Sequence, residues 1–250
     1  MAILTPNIDI FAKTDADLTC TDTVKMTIDT GSHPPIKMPP YRTPFSQREI
    51  NNKQVQEMLD AEIVRKSRSN WAFPVVLVRK RDGTTRFCCD VRKLNAITKK
   101  NAWPLPRIDD ILAKLGKAKY FTCLDLKSGY WQVKFASPED AEKASFTTVN
   151  ALFTWNVMPF GLCNAPSVFQ HLMSEVLDGL DEFSCAYLDD ILIYSSSLDE
   201  HLAHIQAVFD RLRQHHLKLK LKKCKFMMQS TTYLGFVVGE NGINPDPEKS

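Results

Sequence analysis

Cys185-Ala186-Tyr187-Leu188-Asp189-Asp190-Ile191-Leu192-Ile193-Tyr194 is the stretch on which the reading of this 250-residue chain turns. Two greasy, strand-like runs flank a pair of adjacent carboxylates. Held side by side in apolar surroundings, two carboxylates repel each other and lose hydration, so one stays protonated unless a cation neutralises both. A divalent metal ion is the obvious candidate; ordinary turn aspartates are the competing reading. Asp109-Asp110, Glu139-Asp140, Asp181-Glu182 and Asp199-Glu200 are also adjacent acids, but each lies in or beside a polar, helix-like stretch where solvation suffices.

A third carboxylate, Asp125, follows the apolar run Phe121-Thr122-Cys123-Leu124. If that strand lies beside the Asp189 hairpin, three acids converge at one sheet edge. Such a site suits two divalent ions that activate an attacking hydroxyl and steady the leaving oxygen in phosphoryl transfer. Oxygen donors dominate and no histidine is placed to favour zinc, so Mg²⁺ is expected, with Mn²⁺ as an alternative.

Outward from this hairpin the chain mixes helices and strands. Residues 1–45, rich in Pro and Thr, predict an extended N-terminal arm. A capping box at Ser46-Gln47-Arg48-Glu49 opens a helix to about Ala61. The run Phe73 to Arg79, a Lys80-Arg81-Asp82-Gly83 turn and Thr84 to Asp90 predict a hairpin with cations at its tip. Helices are expected over Pro104–Leu115, over Ala165–Leu177 and after the capping box Ser197-Leu198-Asp199-Glu200. Strands are expected over Tyr120–Leu126, Leu217–Lys222 and Thr232–Val238, with Tyr130–Phe135 as strand or extended chain. Without strict alternation of strand and helix, the fold class is α+β: a mainly antiparallel sheet with helices on one face.

Composition, at 44% hydrophobic and 24% charged, is that of a soluble globular protein. No apolar run approaches the roughly 20 residues of a membrane helix, and the first residues carry no signal-peptide pattern, which predicts an intracellular protein with no membrane partner. The seven cysteines form no C-x-x-C pair and read as reduced core residues. Net charge is only +3, yet RLRQHHLKLKLKKCK (211–225) holds seven Lys or Arg and no acid. Such a run suits a polyanionic partner or a solvated face.

Several blocks carry a resemblance: FTCLDLKSGYW (121–131), MPFGLCNAPSVF (158–169) and YLDDILI (187–193). Together with TIDTGSHPPI, RFCCDVRKLNAIT (86–98), WPLPRIDDIL (103–112), YLGFVV (233–238) and the final GINPDPEK, in that order and spacing, they resemble reverse transcriptases of gypsy-type LTR retrotransposon Pol polyproteins.

The resemblance implies an RNA-directed DNA polymerase with a right-hand fold, its antiparallel palm sheet backed by helices. Residues 46–120 and part of 136–160 would be fingers; 121–135 and 161–250 would be palm, ending at a primer-positioning hairpin, with thumb and RNase H absent. It implies Asp125, Asp189 and Asp190 as catalytic metal ligands, joined by the Leu126 carbonyl. Lys80 and Arg86 would hold the incoming triphosphate; Tyr130 would be an aromatic gate against the ribose 2′-hydroxyl; Phe160 and Gly161 would face the nascent base pair. Tyr187, Leu234, Gly235 and Phe236 would meet primer and template, and the 211–225 stretch the duplex phosphates. Expected partners are an RNA or DNA template with primer, deoxynucleoside triphosphates, and protease, RNase H and integrase domains of the same polyprotein, in a cytoplasmic particle or the nucleus. A catalytically silent nucleic-acid-binding remnant is the alternative.

Ala151 and Thr85 depart from the family's usual residues, away from the expected ligands. Asp29-Thr30-Gly31 imitates the aspartic-protease triplet, but Ser32-His33-Pro34-Pro35 follows instead of an apolar strand.

Overall fold

The computed structural model describes residues 3–79, 85–116, 118–240 and 242–247, without the side chains of Ser46 and Arg79. The cationic tip expected at Lys80-Arg81-Asp82-Gly83 therefore lies outside the described residues, as does Asn241. The chain divides into two units. One comprises Met1–Thr23, Trp103–Gly129 and Phe169–Ser250; the other comprises Val24–Ala102 and Tyr130–Val168.

The first unit is built on a four-stranded antiparallel sheet, ordered Lys225–Met228, Tyr120–Asp125, Asp190–Ser195, Ser184–Tyr187. Its central strands are apolar on both faces, because Thr122, Leu124, Ile191 and Ile193 point one way while Phe121, Leu192 and Tyr194 point the other. Each face therefore needs a cover. The Leu198–Gln214 helix covers the first with Ile205, Val208, Phe209 and Leu212. It starts at Ser197, whose hydroxyl accepts from the Glu200 N–H as the capping box requires. The Ile108–Lys114 helix supplies Ile111 and Leu112 to the second face, where Tyr233 and Val238 join the same cluster. Helices thus occupy both faces, a correction to the expected one-sided arrangement.

The second face also meets a three-stranded sheet, Ser230–Tyr233, Phe236–Gly239 and Gly242–Pro245. The sequence reads Thr232 to Val238 as one strand, but Leu234 and Gly235 both adopt positive φ, 51° and 84°, and fold it into a tight hairpin. The Leu217–Lys222 stretch is not a strand either: Leu219 makes single bridges to Phe11 and Leu126, and Leu221–Lys223 is a 3₁₀ turn.

The N-terminal residues are more structured than an extended arm. Thr5–Ile10 and Asp15–Asp17 are 3₁₀ turns, with Asn7 and Ile10 buried. Asn7 and Asp9 are held by Arg213, which reaches Asp9 at 2.7 and 2.9 Å and Asn7 at 2.7 Å.

The second unit carries a five-stranded sheet, ordered Val64–Lys66, Leu152–Trp155, Phe146–Thr147, Phe73–Arg79, Thr85–Cys89. It is antiparallel except where Phe73 and Pro74 run parallel to Phe146 and Thr147. Phe87, Phe146, Phe153 and Trp155 pack ring against ring at its centre. The helix before it spans Phe45–Asp60, starting one residue before the expected box, with Pro44 as N-cap and no side-chain cap bond. No helix among the described residues is long and apolar enough to cross a membrane.

Candidate active site

Backbone phase decides how the acids meet. Asp125 and Asp190 are direct partners across two antiparallel strands. The Asp125 carbonyl is spent on the opposite neighbour, accepting from Lys220 N–H at 2.9 Å, and the Asp190 strand bonds on its far side, where Tyr194 N–H reaches Phe183 O. The pair is therefore of the non-hydrogen-bonded kind, in which the Cα atoms approach to about 4.5 Å and both side chains stand on one face. Asp189 adjoins it in the two-residue turn Leu188-Asp189, since Asp190 pairs back with Tyr187.

Leu126 continues the phase. Its bridge to Leu219 is flanked by Lys127 N–H to Lys218 O at 3.0 Å and by the Lys220–Asp125 bond, so its own peptide groups face the Asp189 side. All four expected ligand positions lie at one end of one sheet.

Burial corrects the premise about this hairpin. Asp190 is exposed and Asp189 is half-buried, so the pair stands at the tip of greasy strands and not inside them. The member in need of compensation is Asp125, half-buried, whose carboxyl burial pushes above the usual range; Lys223 opposes that shift and the charge of Asp189 adds to it. Lys223 Nζ stands 3.4 Å from Asp125 Oδ2. Burial, aided by Lys127 and Lys223, lowers the pKa of nearby Lys220.

These residues fit divalent ions in kind, being hard oxygen donors with one carboxylate short of solvent. With Asp125 paired to Lys223, no three acidic, His or Cys side chains among the described residues close into a ligand cluster as they stand.

The hairpin has a second support that sequence reasoning missed. Leu188 holds a positive φ of 55°, and the buried Gln170 clamps it, Oε1 accepting from Leu188 N–H at 2.8 Å while Nε2 donates to Ala186 O at 3.2 Å. The only signal was a lone amide set among the apolar residues Phe169, Leu172, Met173 and Val176 of the Ala165–Val176 helix. Tyr233, buried, donates its hydroxyl to Asp190 O at 2.9 Å, and Tyr187, Leu234 and Phe236 pack on the same cluster, so these three of the expected primer-side residues share the acids' face.

The remaining expected residues lie in the second unit. Tyr130 and Phe160 rest together with ring centroids 5.0 Å apart, and Phe160 is 44% exposed. Gly161 has φ +98°, which favours glycine, and its carbonyl accepts from Asn95 Nδ2 at 2.8 Å. Asn95 also accepts from Cys163 N–H, making it another overlooked support of the Met158–Phe169 block. Arg86 is exposed on the Thr85–Cys89 strand, and Lys80 lies outside the described residues.

The basic 211–225 run is partly committed internally. Arg211 bonds the Val176 and Asp178 carbonyls, Arg213 binds Asp9, Lys218 bonds the Asp9 carbonyl and Lys223 pairs with Asp125. Lys222 and Lys225 remain exposed. In the Asp29-Thr30-Gly31 triplet, Asp29 accepts from Gly31 N–H and pairs with Lys99 at 2.7 Å, an exposed turn unlike a protease dyad.

Comparison with known proteins gives the following. Residues 78–238 match the family model described as reverse transcriptase (RNA-dependent DNA polymerase). The Pol polyprotein of transposon 297 from Drosophila melanogaster is 41% identical over 241 residues, covering 93% of this chain and 22% of that protein. The Pol polyprotein of transposon gypsy from the same organism is 36% identical over 246 residues, covering 96% of this chain and 24% of that protein. The chain thus spans under a quarter of the length of these relatives. A foamy viral protease-reverse transcriptase solved in complex with an RNA/DNA hybrid shares the fold, with TM-score 0.90 and 22% identity over 99% of this chain and 33% of that one.

Proposed function

This chain belongs to the reverse transcriptase family, and from that membership we propose that it is the RNA-directed DNA polymerase module of a gypsy-type LTR retroelement polyprotein. The observation that carries the reading is the non-hydrogen-bonded pairing of Asp125 with Asp190, with Asp189 beside them in the turn. A common sheet end for these three acids supports a nucleotidyl transfer site.

In the proposed reaction a primer 3′-hydroxyl attacks the α-phosphate of a deoxynucleoside triphosphate; the new O–P bond forms as the bond to the β-phosphate breaks, and pyrophosphate leaves. Two Mg²⁺ ions, or Mn²⁺, held by Asp125, Asp189, Asp190 and the Leu126 carbonyl, would lower the hydroxyl's pKa and shield the triphosphate charge. Arg86, with Lys80, offers cations to the leaving phosphates. Tyr130, steadied against Phe160, occupies room a ribose 2′-hydroxyl would need, with Phe160 and Gly161 toward the nascent pair. Tyr187, Leu234, Gly235 and Phe236 serve the primer end, while Lys222 and Lys225 are left for duplex phosphates. The relatives being polyproteins, protease, RNase H and integrase domains are the proposed neighbours.

The test is extension of a DNA primer on an RNA template with Mg²⁺, comparing the native chain with Asp189→Asn. Incorporation by the native chain and its loss in the variant supports the proposal. Equal incorporation excludes the metal role, and none by either points to a silent remnant.

A further inference from the structure

We propose that Asp15 is a positioning residue for the metal-binding end of the Tyr120–Asp125 strand, a role that rests on the polymerase reading above. Its carboxylate lies far upstream in sequence, yet Oδ1 accepts from Lys127 Nζ at 2.9 Å and from Ser128 Oγ at 3.1 Å. These are the residues that follow Asp125 and Leu126. Ser128 holds φ +48°, a left-handed conformation that a non-glycine residue keeps only under outside restraint. Gly129 next to it has no room for a side chain, because a Cβ there would stand 2.9 Å from Phe169 Cζ. One acid and one ring therefore fix the turn that leaves the site.

Asp15 is itself firmly placed. It sits in the Asp15–Asp17 3₁₀ turn, which is tied by Asp17 Oδ2 accepting from Lys13 N–H, Thr14 N–H and the Thr14 hydroxyl at 2.7 to 3.0 Å. Just before it, Leu219 N–H donates to Ile10 O at 2.7 Å and Ala12 N–H donates to Leu219 O at 3.0 Å. Leu219 bridges Leu126 in turn. The N-terminal segment thus holds the Leu126 end twice, through the Leu219 backbone and through the Asp15 side chain.

Two consequences follow for the ions. Anchoring Lys127 and Ser128 fixes the peptide plane that carries the Leu126 carbonyl, the proposed backbone ligand. Pairing Lys127 with Asp15 also neutralises an ammonium whose side chain is only 16% exposed and which otherwise adds to the positive charge around Lys220, itself one of the cations acting on Asp125. Such outer supports of metal ligands are worth about 10- to 100-fold in metal affinity.

The experiment is direct Mn²⁺ binding to the full chain, without nucleic acid or nucleotide, following free Mn²⁺ by electron paramagnetic resonance. Asp15→Ala is expected to weaken binding about tenfold. Asp15→Asn, which keeps an acceptor for Ser128 but drops the charge, should fall between, and Asp15→Glu should return to within about threefold of the native chain. Circular dichroism of the Asn variant is expected to match the native spectrum, separating positioning from folding. Native-like Mn²⁺ binding by Asp15→Ala and Asp15→Asn, alongside its loss in Asp125→Asn, overturns the positioning role and leaves the polymerase reading standing. Native-like binding by Asp125→Asn overturns the metal site itself, and the role of Asp15 with it.

Discussion

Gln170 holds Leu188 in a left-handed conformation by accepting its N–H at 2.8 Å, one residue before the aspartate pair. The same side chain donates to Ala186 O, so a single buried amide satisfies one backbone donor and one backbone acceptor of the hairpin. Gln170→Ala leaves a buried donor and acceptor unsatisfied, which costs about 1–3 kcal/mol of stability. We expect urea unfolding to show that loss and primer extension to show a fall in kcat larger than any change in KM for the nucleotide. Unchanged stability with native kcat would remove Gln170 from the site's support.

Asp125 makes an opposite prediction for stability and activity. Burial raises its folded pKa above the ordinary 3.8, so the ionised carboxylate is less welcome in the folded chain than in the unfolded one. The stability tied to this group is fully present below pH 3.8 and is lost as pH rises through the raised value. Asp125→Asn should therefore raise the unfolding temperature at pH 7, with a gain that shrinks as pH falls toward 4, while abolishing nucleotide incorporation. A destabilised variant at pH 7 would show that the Lys223 ion pair outweighs burial.

What the sequence disclosed and what it hid follow from the range of the interactions. Asp125, Asp189 and Asp190 were legible because carboxylates ending apolar strand runs are conspicuous wherever the strands pair. Their register was not, since the Asp125–Asp190 phase depends on the Lys220 backbone bond from a stretch that reads as a strand and is none. The Leu234-Gly235 turn was masked because Leu234 takes a conformation its residue type does not advertise. Asp15, Asn95 and Gln170 were silent for a shared reason: each acts on partners distant in sequence or through backbone atoms, and such bonds leave no periodic trace. The cations of Arg213 and Lys218 looked available because the 211–225 run holds no acid, while the segment that consumes them lies near Asp9.

Tyr130 tests the sugar discrimination. Its ring packs on Phe160 within the second unit, so Phe160 fixes where the proposed gate stands. Tyr130→Val is expected to raise relative incorporation of ribonucleotides by about 10- to 200-fold, the range that steric pockets provide. Phe160→Ala should relax selectivity in the same direction by less. Single-nucleotide extension with matched deoxy- and ribonucleotides checks both, and unchanged selectivity in Tyr130→Val would refute the gate.

His201 sets an acid limit on the fold. It is fully buried between Thr122 and Ser195, whose hydroxyls lie 2.8 Å from its two ring nitrogens, and burial lowers its pKa to about 4. The unfolded chain takes up a proton near pH 6.5 that the folded chain refuses until about 4. Stability present above pH 6.5 is therefore lost as pH falls toward 4, by up to about 3 kcal/mol from this group. His204, also lowered by burial, adds to the same slope. His201→Gln can bond both hydroxyls but carries no proton-linked charge, so its stability should vary far less between pH 7.5 and 5. Urea unfolding at those two pH values distinguishes the cases: an equal pH slope in both proteins would mean that His201 is not the group whose charging loosens the Leu198–Gln214 helix from its sheet.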